Sequence, residues 1–399
     1  MTNRLFSLLF LVLTADGLMV FLTPVVVYLL TGSLAYSGLS YAIWWLPRLI
    51  LIPLIGKYID NTGVRPLSII SDCIKTAGCL LLIFSNFTDP LTIAIAFGAT
   101  GSLISIGNSQ TMIAYEKLIA MLSKQREHHV NLMARMDFLG MIIGPVVGML
   151  LIDYGYKTLL LIPCVFYLIN AWYFYRHAGQ LDKVQEAAHF PATGLTLAPP
   201  KHPFIALQFI LSTPVILAII GLAVGNNMFD GLVESAGTAL IDQNMQLPVK
   251  YFGLIDVAAG VCGVAGTYLY SAMLARLSRT LLLSTGLVII IIPSLLLIFH
   301  TSSLIIFVLC YASTIIGKVI TGNINRVMRI EIIPTPILAS TSSLVVLFCQ
   351  SILPVVGFTL FLLAGNNQAV LWLMMTAVVI TFISGALLLL LLKRKAAIG

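Results

Sequence analysis

The chain has 399 residues, of which 59% are hydrophobic and only 9% charged, with a mean hydropathy of +1.03. No water-exposed surface of a globule this size accommodates so much apolar side chain, so composition excludes a soluble fold and indicates a polytopic membrane protein. The net charge of +7 lies on alternate connections between the apolar runs and calls for no nucleic-acid partner.

Apolar runs long enough to cross about 30 Å of hydrocarbon as helix lie near residues 5–31, 36–59, 66–85, 90–120, 131–153, 157–177, 213–240, 249–276, 280–299, 303–329, 337–363 and 368–392. Transmembrane β-strands are excluded, because they read as about ten residues of alternating polarity. The pattern predicts an all-α fold of twelve transmembrane helices in two pseudo-symmetric six-helix bundles, 1–177 and 213–399, joined by a linker over 178–212. Within the linker, residues 203–211 are apolar behind Lys201 and His202 and predict an interfacial helix.

Orientation follows from the basic residues. Arg4, Lys57, Arg65, Lys124, Arg126, Arg176, Lys183, Lys201, Arg276, Arg279, Arg326, Arg329, Lys393, Arg394 and Lys395 fall on one side, whereas the opposite loops hold little beyond Lys157 and Lys250. Both termini are therefore expected in the cytoplasm, with the chain in the inner (plasma) membrane. The first apolar run is long and carries Asp16, so it reads as a span and not as a cleaved signal.

In chain order, span one buries Asp16, and span two carries Tyr41, Trp44 and Trp45 ahead of Arg48. Asn226, Asn227, Asp230 and Glu234 follow one another on span seven, Lys318 lies on span ten, and Gln350 on span eleven. An ionisable group at the bilayer centre costs about 2.5–3.5 kcal/mol on insertion scales, so each needs a partner, a watery cavity or a neutral state. Asp230 and Glu234, at i and i+4, share a helix face where two carboxylates favour proton binding. Asp16 is the other candidate proton carrier, with Arg48 as a possible ion-pair partner.

The chain also repeats itself. Asp16-Gly17-Leu18 recurs as Asp230-Gly231-Leu232, Gly38-Leu39 as Gly253-Leu254, Gly107-Asn108 as Gly322-Asn323, and Pro145-Val146-Val147-Gly148 as Pro354-Val355-Val356-Gly357. The offsets are 214, 215, 215 and 209 residues, in order, and duplicated halves in a membrane chain are the usual architecture of a transporter.

The turn after span two, Gly56-Lys57-Tyr58-Ile59-Asp60-Asn61-Thr62-Gly63-Val64-Arg65, resembles the loop signature of the major facilitator superfamily, with Asn61 and Val64 where that family often has arginine. Gly140-Met141-Ile142-Ile143-Gly144-Pro145-Val146-Val147-Gly148 in span five resembles the glycine-proline motif of that superfamily's exporters and implies antiport. Ala15-Asp16, Leu30-Thr31-Gly32-Ser33, Leu46-Pro47 and Ser71-Asp72 are similar to the branch containing the enterobactin exporter and the macrolide efflux proteins. Ferroportins also place an aspartate in span one. Charge-assisted bonds at a cytoplasmic latch are expected of Asp60, Arg65, Asp72, Lys75, Asn108, Glu116, Arg135, Asn323 and Glu331.

The resulting expectation is a monomeric secondary transporter with no cofactor, exporting an anionic or zwitterionic small molecule such as a siderophore in exchange for protons. Asp16, Asp230 and Glu234 would couple protons, while Arg48, Lys318, Trp44, Tyr41, Asn226, Asn227 and Gln350 would bind substrate. Uptake of a ferric siderophore and export of a divalent metal are the alternatives. No glycine-rich loop ends in Lys followed by Ser or Thr, so ATP is not the energy source. His128 and His129 read as a solvated basic loop, the six cysteines as packing residues, and no hydrolase or metal constellation is present.

Overall fold

The computed structural model describes residues 3–122, 126–177, 204–334, 337–363 and 367–398. Within these, the side chains of 3, 52–62, 117, 120–122, 126–128, 130–131, 134, 338–340, 367 and 395–398 are left aside. Asp60 and most of the turn signature around it therefore lie outside the described side chains.

Among the described residues every regular element is helical, as a backbone in lipid requires when it must satisfy its own hydrogen bonds. In the first half these are α1 (Asn3–Thr31), α2 (Leu34–Thr62), α3 (Val64–Phe84), α4 (Pro90–Leu122), α5 (Arg126–Leu151) and α6 (Tyr156–Leu159 running on as Leu161–Arg176). In the second half, the short α7 (Phe204–Ser212) precedes α8 (Pro214–Ala239), α9 (Gly253–Leu274), α10 (Arg279–Phe299), α11 (Leu304–Ile332), α12 (Leu338–Gln350 and Ile352–Leu362) and α13 (Asn367–Ile398). Eleven of these are long and apolar enough to cross a membrane among the described residues, and α2, expected as a further span, is a helix of 29 residues. The helix expected over 203–211 is α7, whose Ala206 and Ile210 are buried.

Local signals account for several helix ends. Asp89 caps α4, its Oδ2 accepting from the backbone N–H and the hydroxyl of Thr92, both at 2.8 Å, with Pro90 at the first helical position. These bonds hold the Asp89 carboxyl below the usual carboxylate range, the backbone one most of all. Ser278 caps α10 by accepting from the Leu281 N–H.

The chain divides into two compact units, Met1–Leu195 with Pro248–Gly260, and Thr196–Leu247 with Val261–Gly399. Five helix pairings of the first unit recur in the second: α1·α5 as α8·α12, α1·α6 as α8·α13, α1·α4 as α8·α11, α3·α4 as α10·α11, and α3·α6 as α10·α13. The core of the first unit includes Leu5, Leu9 and Leu13 of α1, Tyr115 and Leu118 of α4 and Phe174 of α6; that of the second includes Leu222, Leu282, Ile320 and Leu388. Lipid is as apolar as leucine, so close packing and polar contacts, more than transfer from water, hold such helices together.

The α1–α5 pairing shows how. A Cβ on Gly17 would lie 2.3 Å from the Gly140 carbonyl oxygen, and one on Gly144 would lie 2.3 Å from the Leu18 nitrogen. The glycine-proline run of α5 thus brings its backbone against α1 beside Asp16, with Gly148 against Phe21 one turn further on.

Candidate functional site

Along α3 the buried positions Val64, Ser68, Asp72, Lys75, Cys79 and Leu82 recur at spacings of three and four, which makes one stripe. That stripe carries two charged residues into the first unit. Lys75 is 0% exposed, Asp72 1% and Asp16 4%.

Three helices supply partners to Asp16. Its Oδ1 accepts from the Lys75 ammonium of α3 at 3.3 Å and from the Tyr167 hydroxyl of α6 at 2.7 Å, while Oδ2 accepts from the Asn108 amide of α4 at 3.0 Å. Lys75 also meets Asp72 Oδ1 at 3.5 Å and sits 4.4 Å from the centroid of the Tyr167 ring. Asp72 Oδ2 is bonded to the Asn170 amide at 2.6 Å. Removing an ion from water costs several kcal/mol, so a buried lysine shared by two acids and lying over an aromatic face is compensated on every side.

The glycine repeat is used here. A Cβ on Gly107 would fall 2.6 Å from Lys75 Cε and 2.7 Å from Ser71 Oγ, so only glycine leaves the lysine its path past α4. Gln110, one turn on, donates to Ser68 at 3.1 Å and ties the same two helices.

A second polar group lies on α2. Arg48 Nη1 donates to Ser105 Oγ of α4 at 3.1 Å, its guanidinium lies 4.9 Å from the Trp45 ring centroid, and its Nε is buried without a partner. Asp137 of α5 supplies a counter-charge, and Tyr41 stacks at a tilt on Trp45. Trp44 is buried against Gly101, where α4 comes close. A planar guanidinium with an unpaired N–H beside an aromatic platform is suited to a carboxylate or phosphate.

In the second unit Asp230 of α8 is bonded to Lys318 of α11, with side-chain exposures of 23% and 11%. The ammonium lies 5.3 Å from the Phe229 ring and 5.4 Å from the Tyr311 ring. Asn227 donates to the Cys349 carbonyl at 2.7 Å, and Asn226 accepts from Thr381 at 3.5 Å. Glu234 is half-buried one turn beyond Asp230, and Gln350 is half-buried at the break in α12.

The structure therefore groups the predicted residues differently from their order in sequence. Asp16 is paired with Lys75 and not with Arg48. Of the residues expected at a cytoplasmic latch, Lys75 and Asn108 bond Asp16, and Asp72 meets Lys75. Lys318, without a partner in nearby sequence, has one in Asp230. Glu331 is exposed and forms a bidentate pair with Arg279 at 2.6 and 2.8 Å. Glu116 and Arg135 are exposed, while Arg65 and Asn323 are half-buried. Tyr167, Asn170 and Asp137 were not anticipated, although a lone Asn in the α6 run and an acid at the start of the α5 span are visible signals. Between α1, α5 and α6, a groove of about 520 Å³ lined by Phe10, Leu18, Ile143, Val147 and Phe166 holds none of these charges.

A duplicated, all-helical fold of long apolar spans, with a buried ion pair in the first half and a partly buried one in the second, defines a multi-pass membrane transporter rather than an enzyme. The family model for the Major Facilitator Superfamily matches residues 5–358, and the chain belongs to that superfamily. Among solved structures it is similar to a bacterial homologue of the iron transporter ferroportin in an inward-facing state, at 18% identity and a TM-score of 0.70, covering 97% of this chain and 98% of that one. It is also similar to the peptide transporter POT, at 14% identity and a TM-score of 0.72, covering 98% and 94%. A bacterial homologue of the human lysosomal transporter Spinster matches at 14% identity and a TM-score of 0.68, covering 97% and 96%. Likeness at these identities establishes the fold alone. A search of proteins with curated descriptions returned no match.

Proposed function

We propose that the protein is a proton-coupled secondary transporter that exports an anionic or zwitterionic small molecule, such as a siderophore, by alternating access of its two halves across the inner membrane. The observation that carries this reading is the repeated acid: each unit bonds an aspartate at the same repeat position to a lysine of that unit, Asp16 to Lys75 and Asp230 to Lys318. Charges that compensate one another inside lipid can change partner or protonation state as a cavity opens to either side, which is the exchange that couples a proton to a substrate. Arg48, with its unpaired Nε–H beside Trp45, is the proposed anchor for substrate carboxylates.

The test is flux in proteoliposomes carrying a pH gradient, with catecholate and hydroxamate siderophores as probes. The gradient is expected to accelerate substrate movement against the proton flow, and Asp16→Asn and Asp230→Asn are each expected to reduce that acceleration by about tenfold or more, equivalent to about 1.4 kcal/mol of coupling. Unchanged coupling in both variants would sink the assignment. Accumulation with the proton flow identifies uptake instead, and gradient-driven movement of Fe²⁺ or Mn²⁺ alone identifies metal export.

A further inference from the structure

The buried cluster of the first unit contains two carboxylates and one ammonium, so with both acids ionised it carries a net negative charge in a site almost closed to water. An uncompensated charge there costs several kcal/mol, and protonating one acid removes it. The hydrogen bonds distinguish the two acids. Asp16 accepts three bonds, from Lys75, Tyr167 and Asn108, and each of these stabilises the carboxylate. Among the described residues, the Asp72 carboxyl accepts one short hydrogen bond, from Asn170, while its Oδ1 lies 3.5 Å from the Lys75 ammonium, a longer and weaker contact than any Asp16 makes.

We propose that this cluster binds one proton and that Asp72 carries it, leaving Asp16 as the anion that pairs with Lys75. The two ends of an amide are assigned from the hydrogen-bond network and not observed. Asn170 can therefore donate to the carboxylate or, turned over, accept from the protonated acid, and its own oxygen is otherwise buried without a partner. The titratable groups around Asp72 are Lys75 of α3, Asp16 of α1, Tyr115 of α4 and Tyr167 of α6. Tyr115 donates to the Leu5 carbonyl at 3.0 Å and Tyr167 to Asp16, so neither hydroxyl is bonded to Asp72. Transfer of that proton from Asp72 to Asp16, with Lys75 shifting its pairing from Asp16 to the Asp72 carboxylate, would exchange the roles of the two acids without changing the net charge. Use of this proton to drive transport rests on the function proposed above; its location does not.

Infrared difference spectroscopy of the purified full-length protein across pH reads the proton's position directly. The wild type is expected to show the carbonyl stretch of a buried protonated carboxyl at neutral pH. Asp72→Glu is expected to shift that band, and Asp16→Glu to leave it in place. Asn170→Leu, which keeps both acids and removes the amide, is expected to shift the band to higher frequency, and it serves as the test if Asp72→Glu does not fold. A band that follows Asp16→Glu and ignores the other two variants, or no protonated carboxyl band in the wild type, overturns the assignment. A band located on Asp72 together with flux indifferent to a pH gradient supports it and counts against proton-coupled transport instead.

Discussion

Sharing one lysine between two acids makes the residues of the first cluster unequal. Lys75→Met leaves Asp16 buried without a cation and is expected to cost about 3–5 kcal/mol, the range for breaking a buried ion pair. In Asp16→Asn, the amide oxygen still accepts from Tyr167 or Asn108, and Lys75 retains Asp72 as counter-ion, so the loss should be nearer 1–2 kcal/mol. Thermal unfolding of the two variants in detergent checks the order, and equal losses count against a shared lysine. The second unit has no such reserve described at Lys318. Asp230→Asn leaves that ammonium over Phe229 and Tyr311 alone and is expected to cost about 2 kcal/mol, discounted because Asp230 keeps 23% of its side chain exposed. Adding Lys318→Met should recover most of the loss in the same melt.

At the level of elements, the repeat conserves the acid but not the helix that answers it. Asp16 takes its lysine from α3, which must pass α4 at Gly107; Asp230 takes its lysine from α11, the repeat counterpart of α4. Gly107 and its counterpart Gly322 therefore meet different surroundings: a Cβ on the first strikes Lys75 and Ser71, and a Cβ on the second meets nothing within 4 Å. Gly107→Ala is expected to displace Lys75 at a cost of about 1–3 kcal/mol, whereas Gly322→Ala should raise stability by about 0.5–1 kcal/mol through helix propensity. Paired thermal melts decide it, and the same sign for both substitutions would overturn the argument. This asymmetry also marks what could be read in advance. The spans were legible because hydropathy and length are properties of one segment, and Asp16 and Asp230 were legible because an acid in an apolar run is conspicuous. Their partners were not, because pairing depends on the rotation of each helix about its axis, and neither α1 nor α4 carries a polar stripe that would fix it: α1 is apolar nearly throughout, and the polar residues of α4 are spread around it. The stripe of α3 did hold the information: Asp72 and Lys75 fall in register with Val64, Ser68 and Cys79, although next to a basic turn they read as surface charges.

For the whole molecule, the recurring pairings show that duplication extends to packing as well as to sequence, yet the boundary between units does not fall at one point in the chain. Pro248–Gly260 follows α8 in sequence but belongs to the first unit. There Gly253 packs against Met149 and Phe21, Gly260 packs against Ile142, and Lys250 bonds Asp153 at 2.5 Å. The ion pair is solvent-exposed and screened by water, so the apolar contacts are the larger contribution. Residues 1–195 expressed alone would leave Phe21, Ile142 and Met149 without that cover. This fragment is expected to elute as aggregate in size-exclusion chromatography, and co-expression with residues 196–399 should restore a monodisperse species. Lys250→Ala in the intact chain should leave the elution profile unchanged, because it removes only the exposed pair. A monodisperse, cooperatively melting fragment 1–195 would show that the first unit is complete without the segment, and the duplicated halves would then be independent folding units.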